Sequence, residues 1–240
     1  MRVEVLGVGF DNMTMDQAVA EAIRLLNTEG AHYVVTPNPE IVETCREDPE
    51  AMEVVRAADL VIPDGIGVIY GSRIMGTPLK ERVPGVELAQ HLMEHMAGTD
   101  KGLFLLGSRP GVAEEAAGRL KQRYPGLKIV GAYHGYFQED GPVVEKIRES
   151  GADVVFVCLG APKQEKWMHD NGAATGAHLL LGLGGCLDLF AGHVQRAPEA
   201  FQKLGLEWFY RLLKNPGRIG RMMRLPLFLI HVVGEKGRKK

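Results

Sequence analysis

The chain has 240 residues, enough for one large α/β domain or two small ones. A formal net charge of −2 excludes whole-molecule recognition of nucleic acid by electrostatics, and 45 % apolar with 24 % charged residues is the balance of a soluble globular protein. Cys45, Cys158 and Cys186 are scattered and form no C-x-x-C spacing. That fits a reducing cytosol and speaks against a disulfide framework or a zinc site. The first residues do not read as a signal peptide, and no apolar run is long enough to span a bilayer.

Arg2-Val3-Glu4-Val5-Leu6 alternates and predicts a strand. Thr14-Met15-Asp16-Gln17 is a capping box, opening a helix with Ala18, Ala22, Leu25 and Leu26 on its apolar face. His32 to Val35 predicts a second strand, stopped by Thr36-Pro37-Asn38-Pro39, with Pro39 placed to begin a helix. Thr36 and Asn38 therefore stand at a strand's carboxyl end. By residue type alone they suit turn and cap roles better than chemistry. Asp48-Pro49 caps the next helix, which leads to Leu60-Val61-Ile62-Pro63-Asp64-Gly65-Ile66-Gly67. Here a short apolar strand stops at a proline and sets a carboxylate at its carboxyl end, where open α/β sheets bind ligands. Asp64 is a candidate base there. An N-cap role for a helix beginning near Ile66 explains it equally well.

A helix follows to Gly76, then an exposed arginine in the loop Lys80-Glu81-Arg82-Val83-Pro84-Gly85, then a helix from Val86 to Met96. Gly102 to Gly107 is a continuous apolar run, as expected of a buried parallel strand. Ser108-Arg109-Pro110-Gly111 opens the next helix. Leu127 to Val130 predicts a strand, Pro142 to Ser150 a helix, Asp153 to Gly160 a strand, Ala161 to Trp167 the start of a helix, and His178 to Leu183 a last strand. Strands and helices alternate, so the expected fold is α/β: a mostly parallel sheet with helices on both faces.

No P-loop, G-x-G-x-x-G fingerprint or G-x-S-x-G elbow occurs, and no tight carboxylate pair suggests a divalent metal. Three strand ends open into glycine-rich loops before helices, at Gly107, Gly160 and Gly184-Gly185. Helix N-termini with bare backbone donors are anion sites, so a nucleoside diphosphate suits this half. Gln164 is placed to reach a sugar or phosphate oxygen, and Tyr136 or Phe137 to stack on a base. Each signal alone is weak, since such glycines are commonly steric and such aromatics commonly core. His134, His169 and His193 are isolated and read as structural or surface residues.

Together these stretches carry more. In order stand Thr36-Pro37-Asn38, Pro63-Asp64-Gly65, Glu81 to Gly85, His134 to Phe137, Leu159-Gly160-Ala161-Pro162-Lys163-Gln164-Glu165, Gly184-Gly185 with Asp188 and Gly192, Arg196-Ala197-Pro198 and Gly205-Leu206-Glu207-Trp208. The sequence resembles the WecG/TagA/CpsF glycosyltransferase family over nearly its whole length, and within it the TagA branch of wall teichoic acid synthesis. The resemblance implies a Rossmann-like fold, residues 1–195, with a C-terminal helical membrane-associating appendage, residues 196–240. It implies a UDP-sugar donor, inverting transfer without metal or other cofactor, and a polyprenyl-diphosphate-linked acceptor at the inner membrane leaflet. Members of that branch move N-acetylmannosamine onto undecaprenyl-diphosphate-linked N-acetylglucosamine. The base falls on Asp64, the polar pocket on Thr36, Asn38, Arg82 and Gln164, and acceptor-diphosphate arginines on Arg211, Arg218 and Arg221. UDP is expected across Gly107, Tyr136, Gly160, Gln164, Gly184 and Asp188.

The tail fits a membrane partner. Residues 203–240 hold ten Lys or Arg against two Glu, about +8, against about −10 for the rest. Trp208, Phe209, Leu212, Leu213, Ile219, Met222, Met223, Leu225, Phe228, Leu229 and Ile230 interleave with those charges, and Pro216 and Pro226 are expected to break the segment into short helices. A basic apolar segment too short to span is typical of an interfacial helix; an apolar stripe packed on the sheet domain is the plainer alternative. The expected location is the cytoplasm, peripheral on the plasma membrane, with no nucleic-acid partner and a homo-oligomer left open. Two alternatives accompany this reading: another UDP-sugar donor, carrying N-acetylmannosaminuronic acid, glucose or galactose, and an NAD-dependent oxidoreductase of the same fold class.

Overall fold

A computed structural model describes residues 1–198, 200–201, 206–214, 220 and 223–238, with only the backbone of Arg211. Six parallel strands form one sheet in the order β4-β3-β8-β7-β5-β6. They are β3 (His32–Val35), β4 (Leu60–Val61), β5 (Gly102–Gly107), β6 (Lys128–Tyr133), β7 (Val154–Cys158) and β8 (Leu179–Gly182). Side chains alternate across a strand, and both faces of this sheet are buried. Leu103, Leu105, Val154, Phe156, Leu179 and Leu181 enter one core; Phe104, Leu106, Val155, Val157 and Leu180 enter the other. The first core is covered by α1 (Met15–Leu26), α5 (Gly85–Met96), α6 (Val112–Arg123) and α9 (Cys186–Phe190). The second is covered by α2 (Pro39–Glu47), α3 (Pro49–Arg56), α4 (Ile66–Met75), α7 (Asp140–Ser150) and α8 (Lys163–Asn171). A double-sided core explains why these strands read as unbroken apolar runs.

From β3 to β6 across the sheet, the chain leaves each pair of neighbouring strands toward opposite faces, and two of these pairs bear on the site. After β5 it enters α6 on the first face, and after the adjacent β7 it enters α8 on the second. After β3 it enters α2 on the second face, and after the adjacent β8 it enters α9 on the first. Such switch points open crevices at the strands' carboxyl ends.

A short hairpin, β1 (Arg2–Val5) and β2 (Val8–Asp11), guards the β4 edge. The sequence pattern predicts β1; β2 is a finding. Leu6 and Gly7 form its two-residue turn, both at positive φ, 50° and 84°, as the twist-compatible hairpin turn demands. Asp11 Oδ2 accepts from Val61 N–H at 2.9 Å, and Arg2 Nη2 donates to Ala58 O at 2.7 Å. Side chains thus satisfy backbone groups that an edge strand would otherwise leave open.

The tail contributes α10 (Glu207–Lys214) and α11 (Arg224–Arg238). Pro226 does not break α11 as expected; it sits in the first turn, where a missing N–H costs no hydrogen bond. Phe228 and Val232 are fully buried in the second core. Two glycines of α4 make room for this helix. A Cβ on Gly67 would come within 2.5 Å of Leu225 Cδ1, and one on Gly71 within 2.9 Å of Phe228 Cζ. Polar contacts fix the seating: Arg224 reaches Glu47 at 3.0 Å and Thr44 at 3.1 Å, and His231 Nδ1 lies 2.9 Å from the buried Glu43 carboxylate. Met223, Leu227, Ile230 and Val233 remain exposed.

Truncating Phe228 to Ala is expected to cost about 3–5 kcal/mol, the usual loss for a buried phenylalanine. Ile230→Ser, at a position 67 % exposed, should stay within about 0.5 kcal/mol of wild type. Urea unfolding of the full chain measures both, and equal effects would show that α11 is not docked.

Candidate active site

Backbone bonds sew three loops together beyond β3 and β4. Asp64 N–H donates to Pro37 O at 3.2 Å, and Val83 N–H donates to Pro63 O at 3.0 Å. Asp64 Oδ2 accepts from Gly85 N–H at 3.3 Å. Gly85 is the first residue of α5, so the carboxylate meets a helix N-terminus, where the dipole favours negative charge. The capping alternative for Asp64 fails: Gly65 is the N-cap of α4, with no side-chain capping bond.

Thr36 is buried, and its hydroxyl donates to Gly182 O at 2.9 Å, tying the ends of β3 and β8. Asn38 caps α2, its Oδ1 accepting from Ile41 N–H at 3.0 Å. Both residues lie against the Asp64 loop. A Cβ on Gly65 would come within 3.3 Å of Asn38 Cβ, and one on Gly85 within 2.9 Å of Thr36 Cγ2. Asn38 is thus a helix cap, as its residue type suggests, and it also lies beside the Asp64 loop. Arg82 Nη1 lies 3.5 Å from Glu207 Oε2, both side chains largely buried, so the tail reaches the same loops. Arg218 and Arg221 lie outside the described residues. Arg211 is helical within α10, and its side chain lies outside them too.

The β5–β7 crevice forms the second half. Gly107 ends β5 at φ 134°, and a Cβ there would stand 2.3 Å from Cys158 O, so only glycine fits. Ser108 follows at φ 57° and donates from its hydroxyl to Asp188 Oδ2 at 2.8 Å. Arg109 approaches the other Asp188 oxygen at 3.7 Å. Gly135 N–H donates to Ser108 O at 2.8 Å, which holds the aromatic loop beside the crevice. Tyr136 there is mostly exposed, and the Lys163 ammonium lies 4.6 Å over the Phe137 ring. His134 stacks on Tyr133 and His169 lies edge-on to Tyr33, both structural roles.

Gln164 joins the two halves. It is 1 % exposed, in the first turn of α8. Its Oε1 accepts from Gly184 N–H at 2.9 Å, and its Nε2 donates to Glu165 Oε1 at 2.8 Å. Gly182 runs alongside, since a Cβ there would stand 3.1 Å from Gln164 Nε2. The amide expected to touch substrate spends most of its bonding on the protein and keeps one N–H.

Glu165 is itself 1 % exposed, and its Oε2 has no hydrogen-bond partner. Among the described residues it makes no ion pair. Burial pushes its carboxyl above the usual carboxylate range, more than the Gln164 bond lowers it. The helix dipole favours an anion at this end by at most about 2 kcal/mol, whereas removing an unpaired carboxylate from water costs several.

Sequence reasoning missed Ser108, Glu165 and Glu207 as site components. The signal available for Glu165 was its place in the run Leu159 to Glu165 that carries the resemblance.

The model of the glycosyl transferase WecG/TagA/CpsF family matches residues 3–240. The chain belongs to this family. Two relatives from Staphylococcus aureus, strains MW2 and NCTC 8325 / PS 47, are 36 % identical over 242 residues, covering 100 % of this chain and 95 % of each relative. Both are named N-acetylglucosaminyldiphosphoundecaprenol N-acetyl-beta-D-mannosaminyltransferase. Membership in the family sets aside the oxidoreductase alternative. The stretches that build both crevices, around Asp64 and around Gln164, are those that carried the resemblance.

Proposed function

We propose that this chain is an inverting glycosyltransferase that moves N-acetylmannosamine from its UDP form to undecaprenyl-diphosphate-linked N-acetylglucosamine, a step of teichoic acid linkage-unit synthesis. The full-length likeness to transferases of that name supports the substrate pair. The observation that carries the mechanism is the Asp64 carboxylate, held at the α5 N-terminus beside Thr36 and Asn38 instead of capping its own helix.

A sugar hydroxyl is a poor nucleophile until it loses its proton. Asp64 takes that proton as the hydroxyl oxygen bonds to the anomeric carbon. The bond from that carbon to UDP breaks on the opposite face, and UDP leaves with the electron pair. One displacement inverts the centre and needs one base. UDP lies across Gly107, Tyr136, Gly160, Gly184 and Asp188, with Gln164 bracing the Gly184 loop. Arg82 and the helix N-termini meet the developing negative charge. Transfer without a metal ion is part of this proposal.

The acceptor's lipid stays in the bilayer, and no helix among the described residues is long and apolar enough to cross it. The appendage, residues 196–240, rests on the inner leaflet through Met223, Leu227, Ile230 and Val233, while its opposite side seals the sheet domain, residues 1–195. Arg211, Arg218 and Arg221 meet the acceptor diphosphate, and Glu207 links the appendage to Arg82.

Asp64→Asn should fold and bind UDP normally but lose about 10²–10⁴-fold in kcat, the usual worth of a placed base. UDP release with lipid-linked N-acetylglucosamine measures it, and near-normal turnover removes Asp64 from the role. Other UDP-sugars in the same assay test the alternative donors.

Chelator should leave the rate unchanged. A loss restored by magnesium or manganese would overturn metal-independent transfer.

Replacing Met223, Leu227 and Ile230 together by Asp should leave the melting temperature nearly unchanged and abolish co-sedimentation with vesicles containing phosphatidylglycerol. Undiminished sedimentation would take the exposed stripe out of the membrane contact.

A further inference from the structure

The bonds around Gln164 depend on which way its amide points. With Oε1 toward Gly184 it accepts that N–H; flipped, it would bring a donor against a donor. Within the Gly184 loop only that N–H opposes the flip, because Gly184 and Gly185 carry no side chains. Glu165 opposes it from the other side. Its Oε1, 2.8 Å from Gln164 Nε2, accepts from the amide in the observed orientation. The pair is shielded from water, since Glu165 is 1 % exposed. Its second oxygen has no partner, so the carboxyl is not there to knit the core. Lys166, the adjacent cation, points away to Asp48 at 3.0 Å and to Glu50. Burial pushes the nearby Cys45 thiol up to about 12.

We propose that Glu165 is a positioning residue for donor binding: its carboxyl oxygen holds the Gln164 amide in one orientation, which preforms the Gly184-Gly185 loop for the nucleotide sugar. This rests on the transferase reading above, but the bond geometry can be tested without it.

Two variants separate the roles. Glu165→Gln keeps the accepting oxygen; Glu165→Met keeps the length and removes it. Glu165→Met should raise the donor KM about tenfold with kcat within about threefold, as loss of one buried hydrogen bond in donor binding implies. Glu165→Gln should keep both constants near wild type. Gln164→Met should reproduce the KM change, and the double variant should add nothing to either single. In parallel, amide hydrogen exchange by NMR should show Gly184 N–H protected in wild type and Glu165→Gln and unprotected in Glu165→Met, with Val155 N–H in β7 unaffected. A purely structural Glu165 predicts otherwise: donor KM and Gly184 protection unchanged in Glu165→Met. That result overturns the inference, as does a Glu165→Gln that fails like Glu165→Met, which would mean that charge matters. If Glu165→Met does not fold, loss of Gly184 protection in Glu165→Gln overturns it and retention upholds it. If wild type transfers no sugar from any UDP donor, the transferase reading fails, and the exchange measurement still decides the lock.

Discussion

The carboxyl end of β8 is the place on which the two crevices depend. From Gly182 to Gly185 the strand's exit has leucine as its one side chain larger than hydrogen, so it cannot hold its own shape. Its backbone groups are held from outside instead: Gly182 O by the Thr36 hydroxyl from β3, and Gly184 N–H by the Gln164 amide from α8. The first bond is buried and the second partly so, and a buried backbone group left unsatisfied costs about 1–3 kcal/mol. The pair therefore fixes a flexible stretch in one path. The Asp64 crevice lies on the Thr36 side, and the Asp188 crevice follows the glycines. Their relative placement is set by two short hydrogen bonds across one strand.

Much of this was legible in the sequence because the sheet is buried on both faces. Continuous runs such as Leu103 to Leu106 and Val154 to Cys158 leave little choice of structure, and the glycines and prolines that bound them mark the crevices. Asp64 was legible as a carboxylate at a strand end, but its partner was not. Gly85 lies 21 residues on, and only the fold brings its N–H to Oδ2. Arg82 and Glu207 pair across a greater separation, between a loop and the tail. No local pattern encodes that contact. The second strand of the N-terminal hairpin was missed because Leu6 adopts a positive φ that its residue type disfavours. Pro226 was misread because a proline breaks a helix interior and begins a helix equally well, and sequence alone does not say which turn it occupies.

The tail helix α11 answers to two environments. Its Phe228 and Val232 side is protein core, and its Ile230 side faces out. Apolar stripes on opposite sides explain why the segment read both as a core helix and as an interfacial one. The polar seating on Glu43, Glu47 and Thr44 lies on α2, the helix capped by Asn38. The surface offered outward and the loop beside Asp64 are thereby parts of one rigid assembly of helices.

The glycine notch of α4 ties chemistry to the order of synthesis. Gly67 and Gly71 each weaken a helix by about 1 kcal/mol relative to alanine. They are tolerated because Leu225 and Phe228 fill the space they leave. Those residues are made well over a hundred positions after the helix they support. Residues 1 to 198 can emerge, pair their strands and bury most of both cores while α4 still lacks its cover. The wall behind Asp64 is closed only once Arg224–Arg238 has been made, so a nascent chain without that helix holds an incomplete site.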